Sequence, residues 1–448
     1  TKTLEPSENM SKRKTVVGKK SKCCGSLNRR AFLKVGALSG LGLTLGDYFS
    51  MKGAMAEEKV AKAESVIFVY MAGGMSHLDT FDPKPYAPIE YRGELGVAKT
   101  NTGEQFGGQL PRLAGIADKM TVIRSMTHGE AAHERGSHNM LTGYRPNPAV
   151  TYPSLGSIVS HEYGPRNDLP AYIGIPNADQ PDLGTGFLSS AYAAFSVGGE
   201  PATNGFSVRD LSLASGVSTE RMDKRKSLLA SVDSHFSALE NTDVLDAMDT
   251  YYQRAYSLIS SQNAREAFNI SAEPDAIRDE YGRSAFGQRL LLSRRLVEAG
   301  ARFVSVVDGG WDNHVDIGGA FRGKMPPVDQ GLTTLINDLD RRGLLEKTLV
   351  VLTTEFGRTV KINKDGGRDH WPKAFSIMMA GGGIKGGLIH GKTDPRGAEP
   401  AENPVSPENM AATIYAQLGI DHNKKIMSPS NRPVQLVYNS EPLYDIIA

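Results

Sequence analysis

From Ser65 onward the chain alternates between two hydrophobic patterns. Continuous apolar runs, of which Ser65-Val-Ile-Phe-Val-Tyr-Met71 is the clearest, stop at glycine or at polar residues, as strands buried on both faces do. Strands are expected at Ser65–Met71, Thr121–Arg124, Ala171–Ile175, Arg302–Val307, Thr348–Thr353 and Phe375–Ala380. Between them apolar residues recur at helical spacing. Phe286, Leu290, Leu292 and Leu296 lie largely on one face of a helix that stops at Gly300, directly before a strand. Val328, Leu332, Leu335, Ile336 and Leu339 repeat the pattern and stop at Gly343, again directly before a strand. Two successive helix-strand units predict an α/β fold: a large, mostly parallel sheet sandwiched by helices.

Two stretches depart from this alternation. From about Leu211 to Ser271 the chain is charged and helix-forming, with no strand signal, which reads as a helical insertion within one domain spanning 57–448. The first 56 residues carry a basic run from Lys12 to Lys22, then Asn28-Arg29-Arg30-Ala31-Phe32-Leu33-Lys34, a Gly-rich apolar stretch to Leu45, and Ala54-Met55-Ala56. That order resembles a twin-arginine export signal, so residues 1–56 are expected to be a signal peptide and the mature chain to begin at Glu57. The apolar stretch is too short and glycine-rich to span a bilayer, which takes about 20 residues. The expected location is periplasmic or secreted.

Removing that segment changes the charge. The 448 residues carry a formal +1, but the first 56 hold 11 Lys and Arg against 3 Asp and Glu, leaving 40 basic and 47 acidic residues in the remainder. An acidic remainder argues against a nucleic-acid partner. Both cysteines, Cys23 and Cys24, also fall in the first 56 residues, so the rest holds no disulfide, zinc-thiolate site or cysteine nucleophile. Gly381 to Gly387 lacks the Walker spacing and its Lys-Ser/Thr end, and reads as an edge turn.

In open parallel sheets ligands sit outside the carboxyl ends of the strands. Polar residues cluster there: Ser76, His77, Asp79 and Asp82 after the first strand; Asp308, Asp312, His314 and Asp316 after Val307; Glu355 and Arg358 after Thr353; Arg368, Asp369 and His370 in the next loop. Thr127-His128-Gly-Glu130, His133 and His138 follow the strand at 121–124; the spacing of the three histidines by five suits a loop pocket better than one helical face. Six of the ten histidines fall in these segments, and carboxylates with imidazoles but no thiolates suit a divalent metal site. The mixture does not distinguish zinc, manganese and calcium. Any one of these residues alone is as consistent with a helix cap or an ion pair as with a ligand. Arg358 or Arg368 would hold an anionic group in a fork.

Taken together, Met71-Ala-Gly-Gly-Met-Ser-His-Leu-Asp-Thr-Phe-Asp-Pro83, Met140-Leu-Thr-Gly-Tyr-Arg-Pro146, Gly310-Trp-Asp-Asn-His314, Thr353-Thr-Glu-Phe-Gly-Arg358 and Gly367-Arg-Asp-His-Trp-Pro372 resemble the secreted DUF1501 proteins, a sulfatase-like branch of the alkaline phosphatase superfamily. The resemblance implies an alkaline phosphatase-like sheet with a metal site at its strand ends. It implies Asp312, His314, Glu355 and His370 as metal ligands, with His77 or Asp79 joining them, and a phosphate or sulfate ester, on a polysaccharide or other envelope polymer, as substrate. Met140-Leu-Thr-Gly143 resembles the turn after the sulfatase nucleophile, which puts His133 where sulfatases keep the cysteine that becomes formylglycine. Without that cysteine, His133 is expected to act as nucleophile or general base. A non-catalytic binding or envelope-assembly protein on the same fold is the competing expectation.

Overall fold

A computed structural model of the protein describes residues 61–208, 211, 224 and 257–448. The expected signal peptide and most of the expected helical insertion lie outside the described residues. Among the described residues eight strands form the main sheet: β1 (Ser65–Met71), β2 (Met120–Met126), β3 (Tyr172–Ile175), β4 (Phe195–Ser196), β5 (Phe303–Asp308), β6 (Thr348–Thr353), β7 (Phe375–Ala380) and β8 (Leu388–His390). Their spatial order is β8-β2-β7-β6-β1-β5-β3-β4. All pair in parallel except β7, which runs antiparallel to both β2 and β6. That exception follows from its connection: β6 reaches β7 through a loop carrying a small antiparallel ladder, Gly357–Arg358 against His370–Trp371, and no crossover helix intervenes.

Side chains alternate across β1 and divide the core into two layers. Val66, Phe68 and Tyr70 point into one layer with residues of α1 (His133–Thr142), α2 (Leu155–Tyr163) and α5 (Pro407–Gln417). Ile67, Val69 and Met71 point into the other, with α3 (Ala285–Glu298) and α4 (Ile317–Arg341). The central strands are covered on both faces, which is why they read as unbroken apolar runs. Full burial of a leucine or isoleucine stabilises by about 2 kcal/mol, so each face alone holds a large share of the folding energy.

Helix α4 begins well before the periodic residues that announce it. Its first turn is capped by the Asp316 carboxylate, which accepts the Gly319 N–H at 2.9 Å, and the helix runs through Pro326 and Pro327. Within 211–271, Leu211 is buried, and residues 257–260 and Gln262–Phe268 are helical, the latter placing Ala264, Ala267 and Phe268 in the layer of α3. No strand occurs among the described residues there. Gly381, Gly382 and Gly383 make the turn between β7 and β8, all at positive φ. Among the described residues no helix is long and apolar enough to cross a membrane.

Candidate metal centre

The register of the sheet brings three loops to one place. Met71 lies beside Asp308, and Tyr70 beside Thr353, so β1, β5 and β6 end level at the carboxyl edge. Their continuations, Gly73-Gly74, Trp311 to His314 and Thr354 to Arg358, therefore meet. Gly73 is required at this junction: its φ is +121°, and a Cβ would stand 2.5 Å from the Asp312 nitrogen and 2.7 Å from that of Trp311. Helix α1 closes the junction from above. Gly136 lets it approach, since even a Cβ there would lie 3.1 Å from Phe356 and 3.2 Å from the Glu355 Cβ. The approach delivers His133, the first residue of the helix, beside Glu355.

Three side chains, His133, Asp312 and His370, bring ligand atoms together, and His314 adjoins them through Asp312 and His370. The Asp312 Oδ1 lies 2.9 Å from His314 Nε2 and 3.2 Å from His370 Nε2, and its Oδ2 lies 3.3 Å from His133 Nε2. The Nε2 atoms of His314 and His370 are 3.1 Å apart. His133, Asp312 and His370 each offer a ligand atom, all within 4.8 Å of one another.

The opposite edge of each imidazole is tied to an acceptor. His133 Nδ1 lies 2.7 Å from Glu355 Oε1, His314 Nδ1 2.7 Å from Asp369 Oδ1, and His370 Nδ1 2.7 Å from the Ala131 carbonyl. These partners fix the proton on Nδ1 and turn the Nε2 lone pair toward Asp312, the orientation that metal-ligating histidines take from their outer partners. Imidazole lone pairs facing a carboxylate repel it unless positive charge lies between, supplied by a proton or by an ion. Correspondingly, the hydrogen bond that His133 donates to Glu355 raises the His133 pKa against the lowering effect of burial, with Glu355 and Asp312 charge adding to it. Burial raises the Asp312 carboxyl, but the Arg358 hydrogen bond and charge, with His370 and His133, overcome it and hold the group at about 2.

The structure redistributes the residues singled out in the sequence. Asp312, His314 and His370 sit at the convergence, and His133 joins them as a fourth donor with its Nε2 inside the cluster, where a nucleophile across from the ligands was expected. Glu355 stands behind it. Its Oε1 accepts from the Gly73 N–H at 2.7 Å as well as from His133, and its Oε2 accepts from the Tyr70 hydroxyl at 3.2 Å. Glu355 so placed orients the His133 ring and is not among the residues whose ligand atoms come together.

His77, Asp79, Arg358 and Arg368 are corrections of a plainer kind. His77 is buried with Nε2 donating to the Gly397 carbonyl at 2.8 Å, and Asp79 is buried against Arg368 at 2.8 Å, so neither joins the cluster. Arg368 also donates to the carbonyls of Thr359, Val360 and Tyr91, which leaves its fork nothing for a substrate. Arg358 is likewise buried and occupied. The three histidines do not share a loop pocket, because His133 and His138 lie on α1. His138 turns to Asp182, Nδ1 to Oδ1 at 3.0 Å, and His128 is buried with Nε2 donating to the Glu355 carbonyl at 2.5 Å.

Three contributors had no signal as such. Asp369 was visible beside His370, but the Ala131 carbonyl and the Gly73 N–H are backbone groups that no residue type announces. Tyr70 lies in an apolar run and reads as core. Its hydroxyl, 2.7 Å from Ser137 Oγ, is pushed well above the ordinary tyrosine range by burial and then by the Glu355 charge, so it stays a donor.

An α/β sheet with histidines and a carboxylate converging at its carboxyl edge defines the class. The chain belongs to the family described as protein of unknown function (DUF1501), whose model matches residues 63–447. No curated protein matches the sequence. Among solved structures the chain is similar to a sulfatase from Pseudoalteromonas sp., with 15% identity over 82% of this chain and 70% of that one at a TM-score of 0.36. It is similar to a phosphonate monoester hydrolase of Agrobacterium radiobacter, with 13% identity over 79% and 73% at 0.37. It is also similar to the lipoteichoic acid synthase LtaP from Listeria monocytogenes, with 10% identity over 82% and 74% at 0.35.

Proposed function

We propose that the protein is an exported hydrolase of phosphate or sulfate esters that works with one divalent ion held by His133, Asp312, His314 and His370. The observation that carries this reading is that each of the three imidazoles has Nδ1 tied to an acceptor and Nε2 turned toward the same carboxylate. Three nitrogens and one carboxylate suit zinc or manganese and are a poor match for calcium, which takes oxygen ligands. When bound, such an ion polarises the ester and stabilises the charge that develops during its displacement.

The chain's own part is to hold the donors in place. Glu355, Asp369 and the Ala131 carbonyl set the tautomers, and Arg358 holds Asp312 by one oxygen, leaving the other turned to His133. With Arg358 and Arg368 both occupied internally, the anionic group of the substrate is held chiefly by the ion. The ester class is supported by the resemblance of Met140 to Gly143, Asp312, His314 and His370 to superfamily site motifs. The absence of cysteine after Cys24 removes formylglycine chemistry. Elemental analysis after native export should find close to one zinc or manganese per chain, and chelation should abolish hydrolysis of a generic phosphate or sulfate ester. No metal and no activity on either ester would instead leave a binding or assembly protein on the same fold.

Export rests on Arg29-Arg30 ahead of a weakly apolar, glycine-rich stretch, which suits twin-arginine recognition better than the general secretory route. The single domain of 57–448 with its helical insertion is part of the same proposal. Replacing both arginines by lysine should leave precursor in the cytoplasm, read by fractionation and immunoblot. Undiminished periplasmic yield would reject the signal.

A further inference from the structure

Arg358 is the most completely engaged side chain beside the cluster. Its guanidinium is buried at 0% exposure and meets five oxygens from three separate segments of the chain. Nε donates to the Gly74 carbonyl at 2.8 Å and Nη1 to the Arg368 carbonyl at 3.0 Å. Nη2 donates to Asp312 Oδ1 at 2.5 Å, lies 3.4 Å from the Trp311 carbonyl and donates to the Gly73 carbonyl as well. Its remaining near neighbour is His314 Nε2, 3.5 Å from Nη1.

Without the guanidinium, four carbonyls and a carboxylate oxygen would face one another in a buried space with no donor among them. Each unpaired carbonyl costs on the order of 1–3 kcal/mol. Convergent carbonyl and carboxylate oxygens are the ligand set of a hard cation such as calcium. We propose that Arg358 is a built-in replacement for a second, oxygen-bound cation: its charge and five N–H groups occupy a cage that would otherwise take an ion adjoining the histidine centre. The proposal rests on the reading of His133, Asp312, His314 and His370 as one ion's ligands, since it explains why only one is expected. The shared Asp312 Oδ1 makes the two positions neighbours across a single carboxylate oxygen.

The test uses the exported chain, with calcium as the probe and binding as the readout. Wild type, Arg358→Ala and Arg358→Lys are dialysed against millimolar calcium, and bound calcium and the melting temperature are measured. Arg358→Ala should take up about one equivalent of calcium and rise by at least about 2 °C in its presence. Millimolar guanidinium, returning the missing group, should raise its melting temperature in the same way. Wild type and Arg358→Lys, whose cations fill the cage, should show neither effect. If Arg358→Ala fails to accumulate, Arg358→Gln, which keeps most of the stem and loses the charge, is expected to behave the same way.

An alanine variant that binds no calcium and ignores both additives would overturn the proposal, as would a wild type that binds calcium equally well. An imidazole centre empty of zinc and manganese in wild type would instead defeat the hydrolase reading, and the calcium result on the alanine variant would still decide the cage.

Discussion

Asp312→Ala is expected to release the ion altogether, dropping bound zinc or manganese from near one equivalent to below about a tenth, with ester hydrolysis falling by at least about 10³-fold. The reason is that one carboxylate serves every other donor: Oδ1 is shared by His314 and His370, and Oδ2 faces His133. Removing it leaves three imidazoles with no negative charge between them, and leaves the buried Arg358 with carbonyls alone. Losing one partner of a buried pair costs about 3–5 kcal/mol. Asp312 is 44% exposed, so solvent screens its side of the pair and the loss should fall below that range. Asp312→Asn separates the two effects, since its amide oxygen still receives Arg358 but supplies no charge. A variant with normal stability and no metal would place the loss at the centre itself. Retention of a full equivalent of metal by Asp312→Ala would remove this carboxylate from the ligand set.

Strands at Ser65–Met71, Thr348–Thr353 and Phe375–Ala380 are legible in the sequence because burial on both faces leaves an unbroken apolar run. Direction is less legible. The apolar run of β7 is the same whichever way it points, and only the absence of a helical pattern between Thr353 and Phe375 tells of a return without crossover. The short edge strands Phe195–Ser196 and Leu388–His390 carry too few residues for any period. The start of α4 is hidden because Pro326 and Pro327 interrupt the pattern and its first turn contains two glycines, so the helix is held by packing of Ile317 and Phe321 and by the Asp316 cap.

At the centre, residue type and strand-end position single out Asp312, His314 and His370. They do not say which carboxylate faces the imidazole Nε2 atoms and which lies behind His133. Glu355 and Asp312 both follow strands, and their difference arises in three dimensions: Glu355 is buried beneath the Gly73 N–H and the Tyr70 hydroxyl, while Asp312 stands clear in the loop. His77 and Asp79 show the reverse error. Their position after β1 is right for a ligand, but the chain turns them into the packing around Gly397 and Arg368, and a buried ion pair has the same residue composition as a site.

Glu355→Gln draws the distinction between ligating and orienting into a measurement. The carboxylate accepts on both oxygens, from Gly73 and His133 on one and from Tyr70 on the other. An amide keeps the shape but accepts on one side only. With its oxygen toward His133, the NH₂ meets a Tyr70 hydroxyl that must then give its proton to Ser137, and the Nδ1–H partner survives without its charge. With the NH₂ toward His133, the Gly73 N–H is left unpaired and Nδ1 must become an acceptor, which moves the ring proton to Nε2 and presents a donor to the site. Either way His133 becomes a poorer ligand while Asp312, His314 and His370 keep their partners. The expected result is a 10–100-fold weaker affinity for the ion, the range found when outer partners of metal-ligating histidines are removed. The fold should be retained at a cost of about 1–3 kcal/mol for the disturbed buried bonds. Hydrolysis should return as the ion is titrated to saturation, with the midpoint of the titration displaced and the plateau largely preserved. Were Glu355 itself a ligand, the plateau would collapse and no ion concentration would restore it.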